Sequence, residues 1–159
     1  MPDIKLERSV PLPAQTAFAV FTEQMDTWWP RQGVFPYSFA PKTTRPQHIR
    51  FETRPGGRYY ESFADGSELV IGRITLWQPP QSLAYTWRDP TWADDTSIQL
   101  AFSDDDAGAR IVYRQNGFAA AGVEWLIPYY RVGCTQTLAA YVAHCRALHA
   151  VQELGLSLD

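Results

Sequence analysis

Residues 134–148 read CTQTLAAYVAHCRAL, and their apolar members Cys134, Leu138, Tyr141, Cys145 and Leu148 fall four, three, four and three residues apart. That rhythm is the helical period, so the stretch forms one amphipathic helix with a continuous apolar stripe over about four turns. Pro128 is tolerated in a first helical turn and disruptive inside a helix, so a short turn is expected before it and the main helix after it. Gly155 lies beyond the stop. A helix of roughly 18–24 residues is predicted.

Working back from that helix, the period changes to two. Alternation predicts strands over Ile4–Val10, Gln47–Arg54, Arg58–Phe63, Glu68–Trp77, Ser82–Trp87, Thr96–Phe102 and Ala109–Gln115. The punctuation between them is Pro55-Gly56-Gly57, the Asp65-Gly66 hairpin signal, Pro79-Pro80, Asp89-Pro90 and the acidic run Asp104-Asp105-Asp106, read as a solvated turn. Between the first two strands, Phe18, Phe21 and Met25 recur at helical spacing in Ala14–Met25, and Asp26-Thr27 starts a second short helix carrying Trp28 and Trp29. Pro30 to Pro46, with Gly33, Pro36 and Pro41 inside it, is an irregular loop of the length that compact domains keep for function. The order is therefore strand, two short helices, six strands, long helix. Strands cannot bury one face alone, and the terminal helix is the only element long enough to cover them. The fold class is α+β: a curved antiparallel sheet of six to seven strands wrapped around the C-terminal helix. Wherever facing side chains fail to fill the space between sheet and helix, an internal cavity remains.

The chain has the 159 residues of one ordinary domain, read as a single unit over 1–159. A net charge of −3 gives no attraction to nucleic acid or anionic lipid. Six Trp and eight Tyr exceed what packing alone requires and point to an aromatic-lined interior or interface. Cys134 and Cys145 sit ~16 Å apart along one helix, beyond disulfide reach; reduced thiols fit a cytoplasmic protein. The first residues carry no apolar leader, and no stretch approaches a membrane span. His144 and His149 are five residues apart and share no helical face, so no metal pair is expected. There is no nucleophile elbow, phosphate loop or zinc spacing, and no cofactor is expected.

Several motifs, in order, carry a resemblance: Pro55-Gly56-Gly57-Arg58-Tyr59-Tyr60-Glu61, Asp65-Gly66-Ser67-Glu68, Gly72-Arg73-Ile74, Pro79-Pro80, Leu83-Ala84-Tyr85-Thr86-Trp87, the pair Trp28-Trp29 before Pro30, and Asn116-Gly117-Phe118. The chain resembles the START-like helix-grip superfamily, and within it the family named after the activator of the heat-shock-protein-90 ATPase. The resemblance implies the helix-grip fold and an internal ligand pocket. Members include ligand carriers and cyclase-like and hydrolytic proteins, and the family name records a homology to a co-chaperone without showing that activity. Two departures stand out. Such proteins often carry Gly-Trp near the start of the last helix, where this chain has Gly133-Cys134, a smaller pair that widens the pocket floor. Where a His is common near the end of the last strand, this chain has Gln115, which removes an acid–base candidate.

Strand parity turns Tyr59, Glu61 and Phe63 inward, as it does Leu83, Tyr85 and Trp87, and Ile111, Tyr113 and Gln115. Glu61 and Gln115 are then polar groups in an apolar interior and need partners: a ligand, a Tyr, water or, for Glu61, a neighbouring Arg. Trp28 and Trp29 either plug the sheet end or line the pocket mouth. The expected ligand pocket comprises Trp29, Phe51, Tyr59, Glu61, Tyr85, Trp87, Tyr113, Gln115, Cys134 and Leu138, and its occupant is a small apolar or amphipathic molecule. The alternatives are a cyclase- or hydrolase-like enzyme using Glu61, for which no second acid–base group is visible, and a co-chaperone-like interaction module. A homodimer is left open.

Overall fold

The computed structural model describes residues 1–31 and 37–155. Gly33 and Pro36 of the long loop lie outside the described residues. The elements are β1 (Ile4–Val10), α1 (Ala14–Glu23), α2 (Met25–Trp28), β2 (Pro46–Phe51), β3 (Arg58–Phe63), β4 (Glu68–Gln78), β5 (Ser82–Trp87), β6 (Thr96–Asp105), β7 (Gly108–Asn116), a 3-10 turn (Glu124–Leu126) and α3 (Ile127–Glu153). All strand pairs are antiparallel, in the order β1-β7-β6-β5-β4-β3-β2. The strands form one curled seven-stranded sheet, an α+β helix-grip.

Several boundaries differ from the sequence expectation by a residue or more, and three of them have a clear local reason. The α3 helix runs 27 residues because Pro128 sits inside its first turn, where no N–H is missed, and the helix begins one residue earlier. The β2 strand ends at Phe51 rather than Arg54 because Glu52 turns to serve the next hairpin. Its carboxylate accepts the Arg58 N–H at 2.8 Å, and a side chain on Gly57 would collide with its carbonyl. The β6 strand absorbs Asp104 and Asp105, paired with Ala109 and Gly108. Asp104 is more than a solvated turn residue, since its carboxylate accepts the Ala14 N–H at 2.8 Å at the start of α1. Pro13 precedes that helix and offers no side-chain cap, so a strand supplies the anion that a helix N-terminus attracts.

The buried stripe of α3 is Leu138, Tyr141, Val142 and Cys145. Tyr141 is fully buried and its hydroxyl donates to the Ala17 carbonyl at 2.6 Å, pinning α3 to α1. Asp3 secures the other end: its carboxylate accepts the Gly117 and Phe118 N–H groups, and its carbonyl accepts from Arg131. The backbone of α3 comes nearest to β1, α1, α2 and the 3-10 turn, and the middle of the sheet curves away from it. Among the described residues no helix is long and apolar enough to cross a membrane, and both cysteines are free thiols.

Candidate functional site

The space between the inner face of the sheet and the first half of α3 is a cavity of about 280 Å³, near the lower end of the ~300–1,000 Å³ common for small-molecule sites. The structure brings nine of the ten expected pocket residues around it: Trp29, Tyr59, Glu61, Tyr85, Trp87, Tyr113, Gln115, Cys134 and Leu138. Phe51 does not reach the cavity. It stacks on Tyr59 at 4.6 Å between ring centroids and meets Tyr85 edge-on at 4.9 Å, so it braces the wall from behind.

Strand parity could not show how the wall is assembled. Tyr59 on β3 and Tyr85 on β5 lie on strands separated by β4, and next-nearest strands run roughly 9–10 Å apart. Their rings nevertheless meet at 5.3 Å. Tyr59 pairs in register with Gly72 of β4, a residue with no side chain to stand between them. A Cβ there would lie 1.7 Å from the Thr86 carbonyl oxygen, so β4 and β5 close up only because residue 72 is glycine.

Glu61 is 1% exposed. Among the described residues no arginine pairs with it. The Ser38 hydroxyl donates to one carboxylate oxygen at 2.5 Å and the Phe39 N–H to the other at 2.8 Å. The carboxylate thus ties residues 38 and 39 of the long loop onto the sheet. Two more bonds hold the same segment: the Trp29 indole N–H donates to the Tyr37 carbonyl at 2.8 Å, and the Tyr37 hydroxyl donates to Gln136 on α3. Phe39 packs on Trp87, with centroids 5.5 Å apart. Both residues of the tryptophan pair line the cavity. Trp28 is core, packed on Phe21 and Tyr141 with its N–H on the Val20 carbonyl, and Trp29 is half-buried against the loop.

Gln115 is also partnered within the protein. Its amide donates to the Thr96 hydroxyl at 2.9 Å, which donates to the Trp87 carbonyl at 2.6 Å. The Tyr113 hydroxyl donates to the Gln115 side-chain oxygen Oε1 at 2.9 Å. The Cys134 thiol lies 3.3 Å from the Tyr113 oxygen and donates to the same Gln115 side-chain oxygen at 3.6 Å. Burial pushes the Cys134 thiol up to about 11, so it stays protonated at neutral pH. Among the described residues every side-chain nitrogen or oxygen sealed from solvent has a partner.

Part of the remaining lining comes from elements whose inward residues the two-residue period could not reveal: Phe21 and Met25 from the short helices, Ser38 and Phe39 from the loop, Asp89 after β5, and Tyr130 from the first turn of α3. The six-residue run from Glu124 to Tyr129 hides the helical phase of Tyr130, although Trp87, Trp92 and Phe118 all pack on it. No group of three or more His, Cys, Asp or Glu able to hold a metal ion occurs among the described residues. His144 instead bonds Gln24 at 2.9 Å, and His149 lies 3.7 Å from Glu153.

Comparison with known proteins adds the following. A solved anthrahydroquino-γ-pyrone synthase is 30% identical, with 90% of this chain and 99% of that one covered and a TM-score of 0.56. A protein from Rhodobacter sphaeroides superposes with a TM-score of 0.64 at 15% identity, covering 92% of this chain and 91% of its own. One from Nitrosomonas europaea does so at 0.60 and 15%, covering 95% and 96%. At such identities the last two speak for the fold alone. No curated protein matches the sequence. The model of the family described as Activator of Hsp90 ATPase homolog 1-like protein matches residues 11–140, and with most of its length inside that match the chain belongs to this family.

Proposed function

We propose that this protein binds a small, largely aromatic, amphipathic molecule in the cavity between the sheet and α3. The observation that carries the reading is the cavity itself: open space walled by Trp29, Tyr59, Tyr85, Trp87 and Tyr130, with polar atoms at only a few points. A mostly apolar wall with sparse polar groups is the common design of small-molecule sites. The 30% identical relative supports a fused-ring occupant, since its name describes a synthase of an anthrahydroquino-γ-pyrone. The same relative favours a second reading, in which the bound molecule is also cyclised. A co-chaperone-like module would dock a partner on an outer face and has no use for the space inside.

The test uses the indoles at the cavity. Titration with hydrophobic aromatic probes should quench or shift Trp fluorescence, saturating at one site per chain. The melting temperature should rise with free probe as mass action requires. Trp87→Phe should weaken the optical response. A broad panel giving neither signal would overturn the reading. Recovering the probe chemically changed would move it from carrier to enzyme.

A further inference from the structure

Two side chains stand apart from this well-satisfied interior. Tyr59 and Tyr85 are 1% and 4% exposed and both line the cavity. Among the described residues neither hydroxyl has a hydrogen-bond partner, whereas Tyr113, on the same wall, donates to Gln115 and Tyr141, deeper in the core, donates to Ala17. Since no sealed polar side-chain atom lacks a partner, both hydroxyls open onto the cavity. Gly72 brings the two rings together from non-adjacent strands, and Phe51 packs on both, so their positions are fixed from behind. Burial drives both phenols above their ordinary range, which keeps them neutral and able to donate.

We infer that Tyr59 and Tyr85 together recognise an acceptor oxygen on the ligand, and that the site selects aryl ketones and related carbonyl-bearing ring systems over hydrocarbons of the same shape. This rests on the proposed role of the cavity as a binding site. A carbonyl oxygen has two lone pairs and accepts both hydroxyls at once. In the free protein solvent serves them. A ligand that displaces solvent without offering an acceptor strands two buried donors, a loss of about fivefold or more in affinity for each. The nearby Gln115 network is internally satisfied and does not compete for the ligand's oxygen.

The experiment uses a matched pair of probes, 2-acetylnaphthalene and 2-isopropylnaphthalene, which differ in whether an oxygen or a methyl group occupies one branch. Dissociation constants are measured on the full chain by calorimetry. The wild type should prefer the ketone by about 25-fold or more. The preference should fall several-fold in Tyr59→Phe and in Tyr85→Phe and approach unity in the double variant. Melting curves without probe establish that the variants fold; if the double variant does not, the wild-type preference and the single variants still decide. Equal binding of the two probes, or a preference unchanged in both single variants, overturns this inference and leaves the cavity as a binding site. Binding of neither, with a silent wider panel, overturns the binding reading and this inference with it.

Discussion

Replacing Glu61 by Gln tests whether a buried carboxylate holds the loop to the sheet. The change keeps size and shape and removes the charge. The wild-type carboxylate receives two donors, the Ser38 hydroxyl and the Phe39 N–H. Hydrogen bonds to a charged group contribute about 1.5–3 kcal/mol each and neutral ones about 0.5–1.5. One amide oxygen still accepts from one donor, and the NH₂ group must face Ser38, whose oxygen already accepts the Ala40 N–H. The expected loss is roughly 2–3 kcal/mol, which for a domain of this size lowers the melting temperature by about 5–10 °C. Glu61→Leu should cost more, because the Phe39 N–H is left without an acceptor. The assays are urea and thermal unfolding, with limited proteolysis across residues 37–45 as a local readout. A Glu61→Gln protein that melts within about a degree of wild type, and is cut no faster, would refute the tether. Parity alone, which turns Glu61 toward the cavity, leads one to expect a change in ligand affinity or pH dependence more than in stability; the two bonds to the loop argue for an effect on stability.

Three further outcomes follow from particular contacts. Gly72→Ala should destabilise by about 3 kcal/mol or prevent folding, since its Cβ meets a backbone oxygen that cannot rotate away; near-wild-type denaturant unfolding would contradict the close approach of β4 and β5. Burial holds the His144 pKa below its ordinary value, so the folded state favours the neutral ring; its stability is complete above about pH 6.5 and declines as pH falls through the lowered value, and His144→Gln should flatten that decline in unfolding curves at stepped pH. With both thiols raised to about 11, about one in a thousand is ionised at pH 8; alkylation of the native protein should therefore be far slower than in urea, and comparable rates would refute the burial of Cys134 and Cys145.

Sheet, helix and most of the cavity wall were legible because each depends on a period. Alternation placed Tyr59, Glu61, Tyr85, Tyr113 and Gln115 inward, and the four-three spacing aligned Cys134 with Leu138. What escaped depends on meetings between distant segments. Nothing near Ser38 marks it as the partner of Glu61, because the loop has no period and the contact spans 23 residues of sequence. Asp104 looked like part of a solvated run, and its capping of α1 crosses 90 residues. Phe51 has the parity of a wall residue, yet the Tyr59 and Tyr85 rings converge in front of it across Gly72.

The strand order has a consequence for how the chain comes to be folded. The first strand, β1, pairs with the last, β7, Ile4 opposite Gln115 and Val10 opposite Ala109. On a ribosome, β1 therefore waits until β7 has emerged before it finds its neighbour. The aromatic face stays uncovered longer still, until α3 has been synthesised. Contacts of such long range are slow to form, and an uncovered apolar sheet is prone to association. A nascent chain stalled before residue 127 should accumulate in aggregates or on chaperones that hold hydrophobic segments, and release of α3 should rescue it.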